Sequence, residues 1–457
     1  MSEPLRRRAF LKNTIAAGTG LAVGAGSRPA DAAAVPQDPP PQVDAAPIDN
    51  VRIGFVGVGR RGSGLVRQLL RIQGLEIRAV CDIVEDKVQR TQQVVQQSGQ
   101  PKPAGYSRGE TDYRRMCDRE DLDLVITATP WLLHVPVSVA AMNAGKHAAT
   151  EVPAAMTVEG CWKLVEASEK NHRHCVLLEN TCYFREVMCV LNLVRQGFFG
   201  EPMHAEAGYQ KDARFYDLTA DGGFTFAGDF SKNHKGNVYP THDVGPLAQW
   251  MDINRGDRFD YLVAMAGNAR SFNLYGQKYY GPDHHLSKTK FEMADISTCL
   301  IQTVKGRTIY LILDTHLSRA KARHIYRLMG TTGVVDATTD GIYLEGKSPS
   351  KDRWHGQWES LEEYCRESPH PLWRDLETKA IGSGHGGADY LCLYRLIESL
   401  RTGTPPEIDV YDAAAWSAII ELTDRSARNR SLPQEFPDFT RGKWKTNPPL
   451  PIRGAFG

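Results

Sequence analysis

Short apolar runs alternate with helical segments after the first 50 residues of the chain. The run at 51–56 is apolar and rich in β-branched residues, as expected for a buried strand, and a helical segment follows at 65–71. A second strand is predicted at 75–80, and the next helix should begin near Val84. Further strand and helix patterns lie at 88–97, 123–128, 136–143 and 161–170. This alternation predicts a doubly wound parallel sheet over residues 50–174.

The pattern changes beyond residue 175. Longer alternating runs are separated by glycine-rich loops, and two of them flank a Lys-Gly pair as the strands of a hairpin would, at 296–303 and 308–315. A last helix is predicted at 411–428 and should pack back on the first domain. We therefore expect a second α/β domain over 175–440 with a mostly antiparallel sheet, followed by a tail at 441–457.

The first 49 residues show neither pattern. The sequence Arg-Arg-Arg-Ala-Phe-Leu-Lys at 6–12 precedes a weakly apolar run at 15–26. It resembles a bacterial twin-arginine (Tat) signal peptide over 1–34, which implies export by the Tat machinery to the periplasm or beyond. A basic tail and a membrane anchor are the alternatives, but the run is short and glycine-rich for a membrane span. Residues 35–49 are proline-rich and predict a linker.

Composition adds limits rather than an identity. The chain has 457 residues, a net charge of +1 and 41% hydrophobic residues, which suits a globular protein of two or three domains. The near-neutral charge gives no support for nucleic acid as a partner. No two of the nine cysteines form a C-x-x-C pair, so a zinc ribbon is not expected. His284-His285 has no carboxylate at ligand spacing, so we predict no metal site.

Three glycines follow the first predicted strand in G-x-G-x-x-G register. Gly57 permits a tight turn, Gly59 lets a pyrophosphate approach the backbone, and Gly62 lets the following helix pack closely. The second strand leads to Asp82, at the spacing where a carboxylate binds the adenosine ribose, so NAD is favoured over NADP. In the alternative interpretation the glycines only form a loop, and Asp82 caps the helix near Val84.

A second group of residues resembles the nicotinamide side of the Gfo/Idh/MocA oxidoreductases. It comprises Thr129-Pro130, His134 and Ala144-Gly145-Lys146-His147 leading to Glu151. That family joins a Rossmann domain to an open-faced α/β domain. The resemblance and the glycine motif together give the candidate cofactor ligands Gly57, Gly59, Arg60, Arg61, Gly62, Asp82, Thr129, Trp131, His134 and Glu151. The family's Glu-Lys-Pro triplet, whose lysine serves hydride transfer, reads Glu151-Val152-Pro153 here, which counts against an ordinary sugar dehydrogenase.

The remaining motifs are similar to glycoside hydrolase family 109, the NAD-dependent α-N-acetylgalactosaminidases. The matching segments lie at 151–155 (EVPAA), 179–183 (ENTCY), 190–197 (VLNLVRQG), 236–242 (GNVYPTH) and 385–387 (HGG). The resemblance implies hydrolysis of terminal N-acetylgalactosaminides, with tightly bound NAD regenerated in every turnover. The implied route is oxidation at C3, elimination across C1 and C2, addition of water and reduction at C3.

Tyr239 and His242 are the first catalytic candidates. They lie three residues apart, so both rings can project from one side if Pro240 opens a helical turn. A neutral imidazole suits transfer of the C3 hydroxyl proton. The alternative is a buried histidine that holds a turn.

Three further residues carry roles implied by the family. Tyr183 is the candidate for proton transfer at C2 or at the leaving oxygen, and a core aromatic is its alternative role. Arg214 is the candidate substrate-binding arginine, with a solvated surface side chain as its alternative. Glu151 is expected to bind the sugar or the nicotinamide ribose, and with Tyr183, Arg214, Tyr239 and His242 completes the predicted substrate site.

Several departures from the family pattern lie close to the expected sugar pocket. Asp243-Val244-Gly245-Pro246 replaces Gly-Leu-Gly-Pro, and Lys211 stands where the family usually has histidine. The alternatives are therefore a periplasmic sugar oxidoreductase with tightly bound NAD(P), a related glycosidase for another sugar, and a catalytically silent sugar-binding protein. The expected partners are a small-molecule or glycan-terminal sugar and a second copy of the chain bound through the C-terminal sheet.

Overall fold

The computed structural model describes residue 43, residues 45–352 and residues 354–455. The predicted signal peptide at 1–34 and most of the linker that follows it lie outside the described residues. Within the described ranges, no helix is long and apolar enough to cross a membrane.

A six-stranded parallel sheet forms the first half of the described chain. Its strand order is β3-β2-β1-β4-β5-β6, which is the order of a doubly wound nucleotide-binding fold. The predicted parallel sheet is thus confirmed. The strands are β1 Val51–Val56, β2 Leu75–Cys81, β3 Ala104–Tyr106, β4 Leu124–Thr127, β5 His147–Thr150 and β6 Cys175–Leu177.

The helices around this sheet begin earlier than predicted in one important case. Helix α1 begins at Arg60, not near Leu65, because Gly59 already serves as its N-cap. Apolar periodicity could not reveal that start, since the first turn is Arg-Arg-Gly-Ser-Gly. The helices are α1 Arg60–Leu69, α2 Glu85–Gln97, α3 Asp112–Cys117, α4 His134–Asn143 and α5 Val158–Asn171.

A nine-stranded sheet forms the second half, in the order β14-β13-β12-β11-β7-β10-β9-β8-β15. Apart from the parallel pair β7 and β10, its described neighbours are antiparallel, as predicted. The predicted hairpin around Lys305-Gly306 is present. The strands are β7 Pro202–Gln210, β8 Phe259–Ala266, β9 Ser297–Thr303, β10 Thr308–Asp314, β11 Arg323–Gly330, β12 Gly333–Asp336, β13 Gly341–Leu344, β14 Glu359–Ser360 and β15 Gln434–Glu435.

Helices of the second half contact the nine-stranded sheet as well as the first half. They are α6 Arg185–Arg195, α7 Phe226–Ser231, α8 Thr241–Trp250, α9 Ser271–Tyr280, α10 His285–Lys288, α11 Leu361–Glu367, α12 Pro371–Ala380, α13 Ala388–Thr402 and α14 Val410–Arg428. Short 3-10 helices lie at Trp131–Leu133, Asn180–Tyr183, Arg214–Tyr216, Gly384–Gly387 and Lys443–Lys445.

Helix α14 joins the two sheets. Its Ser417 hydroxyl accepts a hydrogen bond from the Ala154 N–H in the first half, as its predicted packing requires. Its Ser426 hydroxyl accepts one from the Ala264 N–H in β8. One continuous core of buried apolar side chains therefore runs through both halves. The predicted domain boundary near residue 175 stays a prediction, since β6 still belongs to the parallel sheet.

Cysteine chemistry gives one covalent link. Cys189 in α6 and Cys365 in α11 form a disulfide across 176 residues, with the two Cα atoms 5.5 Å apart. The other cysteines of the described ranges are free and buried. Such side chains act mainly as small apolar core residues.

Candidate active site

The glycine turn between β1 and α1 has the shape that a dinucleotide requires. Gly57 has a φ of +83°, and a Cβ there would lie 2.8 Å from the Ala128 backbone. A Cβ on Gly62 would lie 1.9 Å from the Gly57 carbonyl oxygen, so the helix can pack this closely only with glycine. A Cβ on Gly59 would meet nothing within 4 Å, which leaves open space where the pyrophosphate of NAD would lie. The turn therefore fits the cofactor.

Asp82 follows β2, where the sequence predicts a ribose ligand. One carboxylate oxygen accepts a hydrogen bond from the Val58 N–H of the glycine turn, and the other accepts one from the Val84 N–H at the start of α2, both at 3.0 Å. Asp82 thus lies next to the glycine turn, as a cofactor ligand would, and also contacts the start of α2, as the alternative interpretation expects. Ribose binding by Asp82 stays a prediction.

Arg61 contacts protein carboxylates instead of open space. Its Nε donates to Glu151 at 2.7 Å, and its two terminal nitrogens donate to Asp389 at 2.8 and 3.0 Å. Asp389 also contacts the His385 ring and accepts from the Asn180 amide. Burial alone would raise the pKa of Asp389, but His385 and Arg61 hold it well below the ordinary value. In the structure Arg61 links Glu151 to Asp389, and its predicted contact with the cofactor stays a prediction.

An unsatisfied acceptor lies next to this ion pair. The buried side-chain oxygen of Asn180 has no hydrogen-bond partner among the described residues. Asn180 follows β6 at the carboxyl edge of the parallel sheet, where Rossmann ligands bind. An amide-bearing group such as nicotinamide would satisfy this oxygen, so the cofactor fits here as well.

His134 and Thr129 hold the loop after β4. The two ring nitrogens of His134 lie 2.7 Å from the Pro153 carbonyl and 2.8 Å from the Thr129 carbonyl. Burial lowers the pKa of His134. Both ring nitrogens thus face backbone carbonyls, and a contact of His134 with the cofactor stays a prediction. The residue fixes the two loops that flank the sheet edge, while the Thr129 hydroxyl contacts Thr127.

His242 lies at the start of α8, where Pro240 opens the helical turn as predicted. Its Nδ1 lies 2.6 Å from the carboxylate of Glu179, whose side chain is fully buried. Burial would raise the pKa of Glu179, but the neighbouring His242 and Thr181 lower it below the ordinary value. An ionised carboxylate only accepts hydrogen bonds, so Nδ1 carries the proton and Nε2 is left as the acceptor.

Tyr239 lies beside His242, with the two ring centroids 4.8 Å apart in an edge-to-face arrangement. Its ring is also 6.1 Å from that of Trp131 and 5.5 Å from that of Tyr209. Burial, together with Tyr209 and Glu151, raises the pKa of Tyr239 well above its ordinary value. The phenol therefore stays protonated and can act as a hydrogen-bond donor.

Trp131, a predicted cofactor ligand, instead contacts the aromatic side chains of the second half. Its ring lies 5.1 Å from Phe226 and 5.7 Å from Phe230, both in α7. The Trp131 ring therefore connects the loop after β4 to the aromatic side chains beside Tyr239.

Three residues near His242 had no role predicted from the sequence. Tyr209 and His324 are cross-strand neighbours in β7 and β11, and their ring centroids lie 5.7 and 6.1 Å from that of His242. Burial and the neighbouring His242 lower the pKa of His324 to about 3, so His324 is neutral at pH 7. Burial and Glu179 raise the pKa of Asp243 well above its ordinary value. Tyr209 and His324 are brought together by the pairing of β7 with β11. Strand alternation in the sequence could have indicated the two strands, but not that they pair.

Tyr183 and Arg214 do not join this cluster. The Tyr183 hydroxyl donates to Glu407 at 3.1 Å, and burial raises its pKa well above the ordinary value. Arg214 forms a two-point ion pair with Asp212 and stacks on Tyr275 at 4.7 Å. A motif specifies a residue type and not the direction of its side chain, so the roles of Tyr183 and Arg214 at the sugar stay predictions.

Metal ligands form no group of three or more within the described ranges. The His284 ring contacts the Leu286 N–H, and the His285 ring contacts the Gly222 carbonyl.

Two family models match the chain. Residues 51–178 match an oxidoreductase family with an NAD-binding Rossmann fold, and residues 183–446 match the glycosyl hydrolase 109 C-terminal domain. Among solved structures, the WlbA dehydrogenase from Bordetella pertussis, in complex with NADH and UDP-GlcNAcA, has a TM-score of 0.61 at 17% identity. That match covers 86% of this chain and 99% of the other.

Curated relatives match along almost the whole chain. Glycosyl hydrolase family 109 protein 1 from Shewanella sp. (strain MR-4) is 40% identical, and a Shewanella oneidensis protein named alpha-N-acetylgalactosaminidase is 39% identical, with 99% of each chain covered in both cases. Fold and site together define an NAD-binding enzyme of the Rossmann oxidoreductase type. The chain belongs to glycoside hydrolase family 109, which confirms the predicted resemblance and makes it a glycoside hydrolase that uses NAD.

The Asp389 carboxylate should make stability depend on acidity. Its pKa is lowered in the folded state, so its stabilising contribution is complete above the ordinary aspartate range and is lost as the pH falls below about 5. We expect Asp389→Asn to lower the free energy of unfolding by about 1–3 kcal/mol at neutral pH, because its partner Arg61 stays one-third exposed. This difference in the free energy of unfolding between Asp389→Asn and the natural sequence should disappear in acid.

Urea unfolding followed by circular dichroism over a pH series measures this gap. Glu377→Gln, an exposed carboxylate in α12, is the matched control and should leave the pH profile unchanged. A gap between Asp389→Asn and the natural sequence that stays constant with pH would contradict the assignment.

Proposed function

We propose that this enzyme removes terminal N-acetylgalactosamine, preferably from α-linked glycans or small glycosides, and that bound NAD is regenerated in each turnover. The observation that carries the proposal is the buried Glu179–His242 pair beside Tyr239, whose ring adjoins Trp131 of the dinucleotide-binding half. The name of the Shewanella oneidensis relative supports the choice of sugar. The route is oxidation at C3, elimination across C1 and C2, addition of water and reduction at C3.

His242 handles the proton on the C3 oxygen. NAD⁺ bound at the glycine turn supplies the reversible oxidation of C3. Glu179 holds the Nδ1 hydrogen of His242, so Nε2 accepts the C3 hydroxyl proton and later returns it to the same oxygen. Between these steps the buried carboxylate stabilises the imidazolium.

Tyr239 supplies a hydrogen-bond donor. Its hydroxyl is protonated because burial and neighbouring Tyr209 and Glu151 raise its pKa. A neutral phenol beside the sugar donates to an oxygen that gains negative charge during elimination. Glu151, held by Arg61, is close enough to Tyr239 to contribute to that raised pKa.

Retention of the cofactor is supported by a contact across the dinucleotide site. The Arg60 guanidinium, at the start of α1, donates to the Tyr216 hydroxyl at 3.1 Å and stacks on its ring at 4.9 Å. The Lys211 ammonium lies 4.3 Å from the same ring. These contacts, here called the strap, join the N-terminus of α1, where the pyrophosphate would bind, to the second half, so the strap would slow release of the dinucleotide.

Export to an oxidising compartment is supported by the Cys189–Cys365 disulfide, because such bonds persist mainly outside the cytosol. We propose Tat-dependent export of the folded enzyme. Replacing all three arginines at 6–8 with lysine should retain the protein in the cytoplasm, and unchanged export would refute Tat dependence.

A second copy of the chain is the proposed partner of the open sheet face. Met203, Met265 and Leu300 are about half exposed or more on strands β7, β8 and β9, and exposed apolar patches mark association sites. Analytical ultracentrifugation should show a dimer or larger oligomer that Leu300→Glu weakens. A monomer at micromolar concentration would refute the proposed self-association.

Turnover of aryl glycosides tests the proposed chemistry. We expect the purified enzyme to release the aryl group from N-acetylgalactosaminides without added NAD⁺ and to place deuterium at C2 in D₂O. His242→Ala should keep bound nucleotide and lose about 10²-fold or more in kcat, because proton transfer at C3 is lost. A panel of both anomers and several sugars measures selectivity.

Two outcomes would contradict this account. Hydrolysis without deuterium at C2 excludes the elimination route. Full activity in His242→Ala removes that residue from the reaction. Tyr279→Ala, an exposed tyrosine outside the site, is the matched control and should be unaffected.

The strap should control how long nucleotide stays bound. We expect Tyr216→Ala to lose NAD during gel filtration, whereas Tyr216→Phe, which keeps the ring stacked on Arg60, should retain an intermediate amount. Nucleotide released by denaturation is quantified by chromatography. Equal retention in the natural enzyme and Tyr216→Ala would refute the strap.

A further inference from the structure

A recess with a basic lining opens beside the adenosine end of the NAD site. It lies between α1 and α2, begins at Val58 and Gly59 of the glycine turn, and has a volume of about 290 Å³. Four cationic side chains line it: Arg60, Arg67, Lys87 and Arg90. Neither the proposed glycosidase chemistry nor the strap explains this concentration of positive charge.

The charge of the recess is largely unbalanced. Arg67 and Arg90 donate only to backbone carbonyls of their own helices, at 3.3 Å to Ser63 and 3.1 Å to Asp86. Within the described ranges no carboxylate forms an ion pair with either guanidinium. Lys87 lies 3.9 Å from Asp82, which is a loose pair. A concave surface with unpaired guanidinium groups attracts an anion.

The location identifies which anion would fit. In a Rossmann site the adenosine ribose lies against the acid that follows the second strand, here Asp82. Asp82 accepts a hydrogen bond from the Val58 N–H, and Val58 itself lines the recess, so a ribose held by Asp82 would lie beside the recess. The pyrophosphate is already served by the N-terminus of α1. A ribose hydroxyl is neutral and does not need several cations, whereas a 2′-phosphate does.

Asp82 does not bar a phosphate from this position. Each of its two oxygens accepts a backbone N–H, from Val58 and Val84, and Lys87 lies nearby. Its negative charge is therefore partly compensated before any ligand binds. Arg67 and Arg90 have free planar N–H donors that match the geometry of a phosphate group.

We propose that the recess between α1 and α2 is a phosphate subsite for the 2′-phosphate of an NADP-type dinucleotide, so that the protein binds NADP(H) as well as NAD(H). Arg67 and Arg90 contact the phosphate, and Lys87 offsets Asp82. The proposal depends on the dinucleotide site and not on the proposed glycosidase reaction, so binding measurements test it even if the sugar assignment fails.

The experiment is a calorimetric titration of the full chain, freed of bound nucleotide, with NAD⁺ and with NADP⁺. We expect NADP⁺ to bind within about tenfold of NAD⁺. Arg67→Ala combined with Arg90→Ala should weaken NADP⁺ about tenfold or more, since charge-assisted contacts are lost, and leave NAD⁺ binding within about twofold. Added salt should weaken NADP⁺ more than NAD⁺.

Arg366→Ala, an exposed arginine in α11, is the matched control and should change neither titration. Unchanged NAD⁺ binding in the double variant shows that it is folded. The proposal is overturned if NADP⁺ shows no binding at millimolar concentration, or if the double variant weakens both nucleotides equally.

Discussion

The ion pairs of Arg61 hold the site together. One guanidinium, in the first turn of α1, bonds Glu151 after β5 and Asp389 at the start of α13. The glycine turn, the edge of the parallel sheet and a helix of the second half are therefore fixed to one another. A sugar in the second half can meet a dinucleotide in the first only if this relation is kept.

In the proposed mechanism, the Glu179–His242 pair takes the place of the lysine of the related dehydrogenases. Val152 occupies that position and is buried, so no charged amine lies there. The proposed proton-transfer group, His242, comes from α8 instead, and the fully buried carboxylate of Glu179 after β6 lies 2.6 Å from its Nδ1. An acceptor held in this way can return a proton to the oxygen from which it came, as hydrolysis without net oxidation requires.

The sequence pattern predicts features that local chemistry determines. The glycine turn follows from backbone sterics, the parallel sheet follows from alternating strands and helices, and the Pro240 turn places Tyr239 beside His242. Contacts between segments that are distant in the chain could not be predicted from the sequence pattern. Glu179 was noticed only as part of a motif, and the pairing of Arg61 with Asp389 spans 328 residues.

Side-chain direction is the other limit of sequence reasoning. Tyr183 and Arg214 match family motifs, yet one hydroxyl bonds Glu407 and the other side chain pairs with Asp212. Burial and neighbouring charge in the folded chain decide such directions, and a motif contains neither.

Rapid mixing tests the central claim most directly. The enzyme as purified is mixed with an aryl N-acetylgalactosaminide, without added nucleotide, and the near-ultraviolet absorbance of reduced nicotinamide is followed. The account predicts that this absorbance rises and falls within each turnover, with no net reduction at the end. Steady hydrolysis with no reduced nicotinamide at any time would contradict it.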